Sequence, residues 1–197
     1  MSTAEHADVN RRDFLYIATG AVGAVGTALV AWPFISQMNP SASVLALAQI
    51  EFDLSPLAEG QSVTLKWQGN PVFVRHRTQA EIDAAKQVPL DDLKDPNARN
   101  DNLKGDEPAT DDNRVVGGKE KYLVMVGVCT HLGCVPVGDS PSRQFAVVEG
   151  NEKVGGWYCP CHGSQYDTSG RVRHGPAPKN LDVPPYNFTS DTVVRIG

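Results

Sequence analysis

The sequence predicts an all-β domain carried on a single N-terminal transmembrane helix. Residues 14–50 contain no Asp, Glu, Lys, Arg or His, although the chain as a whole is 41% hydrophobic and 21% charged, which is ordinary for a globular protein. The 18 glycines and 14 prolines imply many turns, which favours β structure with loops over a helical bundle. A net charge of −5 argues against a nucleic-acid partner.

The N-terminus, residues 1–13, is predicted to lie in the cytoplasm and to contain a twin-arginine signal. RRDFL at 11–15 places two arginines directly before the apolar run, as in signals that export folded proteins. The alternative is that the two arginines only set the topology of the helix. ALA at 46–48 has the small residues of a cleavage site, but the apolar region exceeds that of a signal peptide, so we expect an uncleaved anchor.

Residues 14–37 are predicted to form the transmembrane helix. The uncharged stretch 14–35 would span roughly 33 Å as a helix, about the thickness of the hydrocarbon core. Trp32 suits an interfacial anchor, and the arginines on the other flank place the N-terminus in the cytoplasm. The rest of the chain then lies in the periplasm of a bacterium, attached to the inner membrane. Three glycines along the helix are compatible with a face packed on a partner helix, and equally with the abundance of Gly in membrane helices.

A tether is predicted at 38–48, where the chain is small and uncharged. Eleven extended residues reach roughly 36–40 Å. The tether is either a passive spacer or a flexible hinge that lets the head move.

The head, residues 49–197, contains several β-prone segments. Two of them flank the turn QGN and predict a hairpin, and Thr78 with Glu81 matches a capping box that begins a short helix at 79–86. Residues 89–118 are rich in Asp, Asn, Pro and Gly and predict a surface loop. The predicted strands are QIEFDL (49–54), SVTLKW (62–67), PVFVRHR (71–77), KYLVMVGV (121–128), RQFAVVEG (143–150) and TVVRIG (192–197).

Two stretches, CTHLGC at 129–134 and CPCHGS at 159–164, hold all four cysteines and two of the five histidines. Two disulfides would leave both histidines unexplained. Zinc accepts Cys and His, but its sites usually pair like residues along the chain, whereas each stretch here supplies both types. In a Rieske 2Fe-2S centre two Cys bind one iron and two His bind the other. The C-x-H and C-x₂-H spacing therefore favours such a cluster, with two cysteines left that could pair with each other.

These two motifs, the twin-arginine anchor, the tether and GPAP at 175–178 together resemble the bacterial Rieske iron–sulfur subunits of cytochrome bc complexes, the ubiquinol–cytochrome c reductases. The resemblance covers nearly the whole chain. It implies an antiparallel β-sandwich with a small cluster-binding subdomain at about 125–180. The implied site comprises Cys129 and Cys159 on the inner iron, His131 and His162 on the outer iron, a Cys134–Cys161 disulfide, and Pro176 in a loop that covers the cluster.

Further roles follow from the same resemblance. Ser164 and Tyr166 match the family's hydrogen-bond donors, Ser164 to a bridging sulfide and Tyr166 to a ligand thiolate, and these hydrogen bonds raise the reduction potential. Leu132 and Gly133 lie between ligands and would form an exposed docking tip. His162, with His131 beside it, would contact the quinol and accept its proton.

The implied function is the transfer of an electron from ubiquinol to a c-type cytochrome, as part of a quinol–cytochrome c reductase that translocates protons. The implied partners are a cytochrome b subunit and a c-type cytochrome subunit in a dimeric, multi-subunit membrane complex. Three alternatives remain open: the Rieske subunit of a periplasmic oxidase of the arsenite-oxidase type, a Rieske ferredoxin that serves a dioxygenase, and a membrane-tethered zinc module.

One feature departs from the family pattern. The 27 residues between His131 and Cys159 exceed the usual family spacing. We expect the additional stretch, about 139–153, to form a hairpin or loop beside the cluster. It leaves the predicted ligands unchanged and alters the surface around them.

Overall fold

The computed structural model describes residues 10–46, 48–139, 147–149 and 152–197. The chain divides into two compact units, Met1–Leu45 and Ala46–Gly197.

The first unit contains one long helix, α1 (Arg11–Ser36). It begins three residues before the predicted start because Asn10 caps it: the Asn10 side chain accepts a hydrogen bond from the Asp13 N–H at 3.0 Å, and the Asp13 carboxylate accepts one from the Asn10 N–H. The helix is long and apolar enough to cross a membrane by length and composition. Within the predicted tether, a short helix α2 occupies Ala42–Ala46, and residue 47 lies outside the described residues.

The second unit is built mainly from antiparallel strands, which confirms the predicted fold class. The strands are β1 (Ile50–Asp53), β2 (Ser62–Trp67), β3 (Asn70–His76), β4 (Tyr122–Val126), β5 (Val137–Asp139), β6 (Val147–Glu149), β7 (Glu152–Cys159), β8 (Ser164–Tyr166), β9 (Val172–His174), β10 (Tyr186–Phe188) and β11 (Val193–Ile196).

Two three-stranded sheets, in the orders β1-β11-β10 and β2-β3-β4, enclose one apolar core and form the sandwich. A third sheet, in the order β5-β7-β8-β9 with β6 paired to β7, carries the Cys/His motifs.

Strands β3 and β4 contribute side chains to two apolar cores of the head because both of their faces are buried. Side chains alternate across a strand, so Val74 and Val124 enter the core of the sandwich, whereas Phe73 and Met125 enter a second core beneath the Cys/His motifs. This accounts for the uninterrupted apolar run in β4. The chain leaves this double-sided strand directly into the first motif, so the motif begins from a rigid base.

The predicted helix is present as α3 (Gln79–Lys86), and both hydrogen bonds of the Thr78–Glu81 capping box form. Every predicted strand falls on an observed one, although only 147–149 of the segment 143–150 lies within the described residues. Within the extra stretch, Val147–Glu149 forms β6, which pairs antiparallel with the start of β7.

The prediction that 89–118 is a surface loop is wrong for several of its residues. The connection has two short 3₁₀ turns, Leu90–Asp92 and Asp112–Arg114, but Asp111 and Arg114 are fully buried. Asp111 pairs with the buried guanidinium of Arg77. Arg114 donates hydrogen bonds to four backbone carbonyls, among them Ser169 at 2.9 Å. Polar composition predicted exposure, whereas pairing with distant groups permits burial.

Candidate metal centre

Three loops meet at one end of the third sheet. The first, residues 127–136, connects β4 to β5; the second, 160–163, connects β7 to β8; and the third, 175–180, follows β9. The disulfide between Cys134 and Cys161 joins the first loop to the second.

The first two loops have the same backbone design. In each turn the carbonyl of a buried cysteine accepts a hydrogen bond from the N–H of the glycine four residues later: Gly133 to Cys129 at 2.9 Å, and Gly163 to Cys159 at 3.0 Å. Both glycines adopt a positive φ, 82° and 79°, which L side chains rarely tolerate. The glycines in CTHLGC and CPCHGS therefore close the two turns that display the histidines.

The predicted ligands lie at two depths. Cys129 and Cys159 are buried free thiols, each 2% exposed, whereas His131 is half-buried and His162 is exposed. The two imidazole rings are 4.8 Å apart between centroids and nearly perpendicular. Two soft thiol donors on the inside and two imidazoles toward solvent fit the unequal ligand set of a Rieske cluster.

A different cysteine group is also close in space. The sulfur atoms of Cys134, Cys159 and Cys161 all lie within 4.8 Å of one another. Cys134 and Cys161 are bonded to each other, and disulfide sulfurs are not the thiolates that bind metals. The three sulfur atoms are therefore close because the disulfide lies beside the Cys159 thiol. The mixed Cys/His set remains the better candidate for the metal ligands.

The two thiols have different acidities. Burial raises the pKa of Cys129, but hydrogen bonds from the Tyr166 hydroxyl, the His131 N–H, Cys159 and Ser164 outweigh burial and lower it below the usual value. For Cys159, burial and the neighbouring Cys129 raise the pKa. The first thiol ionises more readily, and its charge opposes ionisation of the second. A metal cation bound to both sulfurs would offset the repulsion between the two thiolate charges. Both thiols would then ionise, so metal binding releases protons.

The two predicted donors are buried beside the thiols. The Tyr166 hydroxyl donates to Cys129 Sγ at 3.2 Å and accepts from the Thr130 N–H at 3.3 Å. The Ser164 Oγ accepts a hydrogen bond from the Ala177 N–H at 3.1 Å, and Ser164 is among the groups that lower the pKa of Cys129. The sequence analysis did not identify Thr130 as a partner of Tyr166. Its position between the predicted ligands Cys129 and His131 was the one signal that could have indicated a role in the site.

The third loop packs against the second. At Gly175, where φ is +89°, an added Cβ would lie 2.5 Å from Ser164 Cα and 2.6 Å from the Gly163 carbonyl oxygen. Only glycine permits this approach. Pro176 follows at the surface, and Lys94, which sequence reasoning also missed, holds this loop through two backbone carbonyls.

The first loop ends the head with an exposed apolar tip. Leu132 is 70% exposed, and Val135 and Val137, in the same loop and strand, are 50% and 47% exposed. Gly133 is exposed beside Leu132. Neighbouring exposed apolar side chains are typical of surfaces that contact a partner.

Comparisons with known proteins agree with this site. Residues 91–186 match the family model described as Rieske [2Fe-2S] domain, and residues 1–41 match the model described as Ubiquitinol-cytochrome C reductase Fe-S subunit TAT signal. The fold and these matches define a Rieske-type iron–sulfur protein whose cofactor is a 2Fe-2S cluster.

Full-length relatives narrow the class. The chain is 51% identical to the ubiquinol-cytochrome c reductase iron-sulfur subunit of Bradyrhizobium diazoefficiens, 52% to that of Rhodospirillum rubrum and 49% to that of Cereibacter sphaeroides. Each comparison covers 100% of this chain and 100% of the relative. The chain belongs to the family of ubiquinol–cytochrome c reductase iron–sulfur subunits.

Proposed function

We propose that this chain is the electron-transferring Rieske subunit of a ubiquinol–cytochrome c reductase. The observation that carries the proposal is the arrangement of two buried thiols and two outward imidazoles on facing loops. Cys129 and Cys159 would hold the inner iron, and His131 and His162 would hold the outer iron. The full-length similarity to subunits of that name supports the same function.

The bound cluster supplies one-electron chemistry at about −150 to +300 mV, well above the about −400 mV of plant-type ferredoxins with four Cys ligands. The protein raises the potential further. Tyr166 donates a hydrogen bond to Cys129, and Ser164, by the family resemblance, would donate one to the cluster; both bonds would stabilise the more negative, reduced state.

The exposed His162 performs the proton chemistry. One ring nitrogen would bind the metal, and the other would remain available at the surface for a hydrogen bond from a ubiquinol hydroxyl. This nitrogen holds the proton that accompanies the electron. His131, half-buried and edge-on to the same ring, completes the face presented to the quinol.

Leu132 and Gly133 seat this face in a pocket of a cytochrome b subunit. The apolar tip loses exposed surface on docking, which favours the complex by about 25 cal/mol per Å² of buried apolar area. The Cys134–Cys161 disulfide keeps the two loops together while the head binds and leaves partners.

The N-terminal helix anchors the subunit in the bacterial inner membrane, with residues 1–13 in the cytoplasm and the head in the periplasm. The tether at 38–48 lets the head move between the quinol site and a c-type cytochrome subunit of the same dimeric complex. A run of prolines in the tether would stiffen it, and we expect this change to stop turnover without altering the spectrum of the cluster. Normal turnover of that variant would exclude the moving head.

The test of the proposed ligands is metal analysis and redox-poised EPR of membranes that contain the full chain. We expect iron with acid-labile sulfide and a Rieske signal that His162→Asn abolishes. The matched control is His174→Asn, which changes an exposed histidine outside the predicted ligand set and should retain the signal. Zinc in place of iron would contradict the proposal, and purification without b- and c-type haem would favour a periplasmic oxidase.

A further inference from the structure

The third loop of the metal centre, residues 175–180, is held by a short segment of the long connection, residues 94–97, which we call the bracket. The Lys94 ammonium donates hydrogen bonds to the carbonyl oxygens of Gly175, at 2.6 Å, and Ala177, at 3.0 Å. These carbonyls lie on either side of the first proline of the loop. The ammonium therefore fixes the start of the loop from outside.

The bracket also fixes the other end of the loop. The buried Asp95 carboxylate accepts a hydrogen bond from the Asn180 N–H at 3.0 Å. The Asn180 side-chain amide donates to the carbonyls of Asp95, at 3.0 Å, and Asn97, at 2.8 Å. At this end Asp95 and Asn180 are buried, whereas the Lys94 side chain holds the start of the loop from the exposed surface.

The loop depends on outside partners because of its prolines. Pro176 and Pro178 have no backbone N–H, so Ala177 supplies the only N–H between them. That group donates to Ser164 Oγ at 3.1 Å. One residue is thus attached on two sides, through its carbonyl to Lys94 and through its N–H to Ser164.

This attachment determines what the Ser164 hydroxyl can do. A hydroxyl has one hydrogen to donate and lone pairs to accept with. The Ala177 N–H occupies a lone pair, which leaves the hydroxyl hydrogen free to donate to the cluster. If Ala177 moves away, the hydroxyl is free to rotate, and its donation to the cluster weakens.

We propose that Lys94 is a positioning residue that raises the reduction potential of the cluster indirectly, by holding Ala177 so that Ser164 donates to the cluster. The inference rests on the proposed function, because it requires a cluster in this site. It assigns a role in redox tuning to a side chain outside both Cys/His motifs.

The experiment measures the midpoint potential by redox-poised EPR in membranes that contain the full chain with Lys94→Met. We expect the equilibrium constant for reduction to fall threefold to tenfold, which is about 30–59 mV for a one-electron couple. Lys94→Arg, which retains a charged donor, should restore most of the potential. The matched control is Lys104→Met, at an exposed lysine of the same connection, and it should leave the potential unchanged.

A second measurement separates positioning from a direct effect of charge. In a Ser164→Ala background, K94M should change the potential by less than twofold in equilibrium constant, because the group through which Lys94 acts is absent. An undiminished effect in that background would overturn the proposal and assign the shift to the ammonium charge. An unchanged potential in K94M alone would also overturn it.

If K94M accumulates no cluster, Lys94→Gln and K94R provide the same comparison. A lower potential in K94Q than in K94R supports the proposal, and equal potentials overturn it. A wild-type chain without any Rieske signal would instead contradict the proposed function. The two failures are therefore distinguishable.

Discussion

Replacing Tyr166 with Phe removes one hydroxyl from the metal centre and leaves the ring in its buried position. The hydroxyl donates to Cys129 Sγ at 3.2 Å, and the residue is 0% exposed. A hydrogen bond to a charged group contributes about 1.5–3 kcal/mol. At about 59 mV per tenfold for one electron, this corresponds to an upper limit of about 65–130 mV. Because the bond exists in both oxidation states, only its strengthening on reduction counts, and we expect a smaller fall in midpoint potential.

The same change should also reduce stability. The Thr130 N–H donates to the Tyr166 oxygen at 3.3 Å and loses this partner in the variant, at a cost of about 1–3 kcal/mol if it stays unpaired. Tyr186→Phe is a matched control. The Tyr186 hydroxyl is also buried and accepts from the Val116 N–H at 3.0 Å, but it lies in the core of the sandwich.

Redox-poised EPR and thermal unfolding of both variants test the reasoning. Tyr166→Phe should lower the midpoint potential and the melting temperature, whereas Tyr186→Phe should lower only the melting temperature. A wild-type potential in Tyr166→Phe, or equal falls in both variants, would refute the assignment of Tyr166 as a redox-tuning donor.

Three further predictions concern the loops. Gly175→Ala should destabilise the holoprotein by more than Gly133→Ala. An alanine at either position would be strained by about 1–2 kcal/mol because φ is positive, but only the Cβ at position 175 would also collide with the second loop. Equal melting temperatures of the two variants would contradict the close approach. Burial raises the pKa of Asp95, but hydrogen bonds from a guanidinium and two backbone N–H groups hold it below its usual range. The stabilising contribution of the carboxylate is therefore complete above about pH 3.9 and is lost as the pH falls through the lowered pKa. Asp95→Asn should be less stable near pH 7 and show a flatter acid-unfolding profile, and an unaltered profile would count against the bracket. Leu132→Asp should change the free energy of unfolding by no more than about 0.5 kcal/mol because the side chain is exposed, yet it should reduce the rate of quinol oxidation at least tenfold. Leu90→Asp, at another exposed leucine, should leave that rate unchanged. Wild-type turnover in Leu132→Asp would exclude the docking tip.

Sequence reasoning succeeded where the information is local in the chain. The capping box at Thr78 and Glu81 and the alternating residues of β2 act within a few positions, and both formed where predicted. The two cysteine motifs belong to this class because each turn is closed by a hydrogen bond that spans four residues.

Short strands could not be predicted in the same way. β8 is the three-residue segment Ser164–Tyr166, and β9 is Val172–His174. Three residues contain too little periodicity to identify a strand. They are strands because β7 pairs with β8 and β8 with β9, and this pairing is what places Tyr166 beneath Cys129.

The sequence by itself determined the apolar helix, the all-β head and the choice of a mixed Cys/His cluster, because hydropathy, turn residues and motif spacing are properties of neighbouring residues. Only the tertiary structure decided which thiols are buried, which imidazole is exposed, and that Lys94 reaches a loop more than eighty residues away. The physical reason is that burial and hydrogen bonding depend on groups distant in the chain, whose meeting follows from the packing of the whole head.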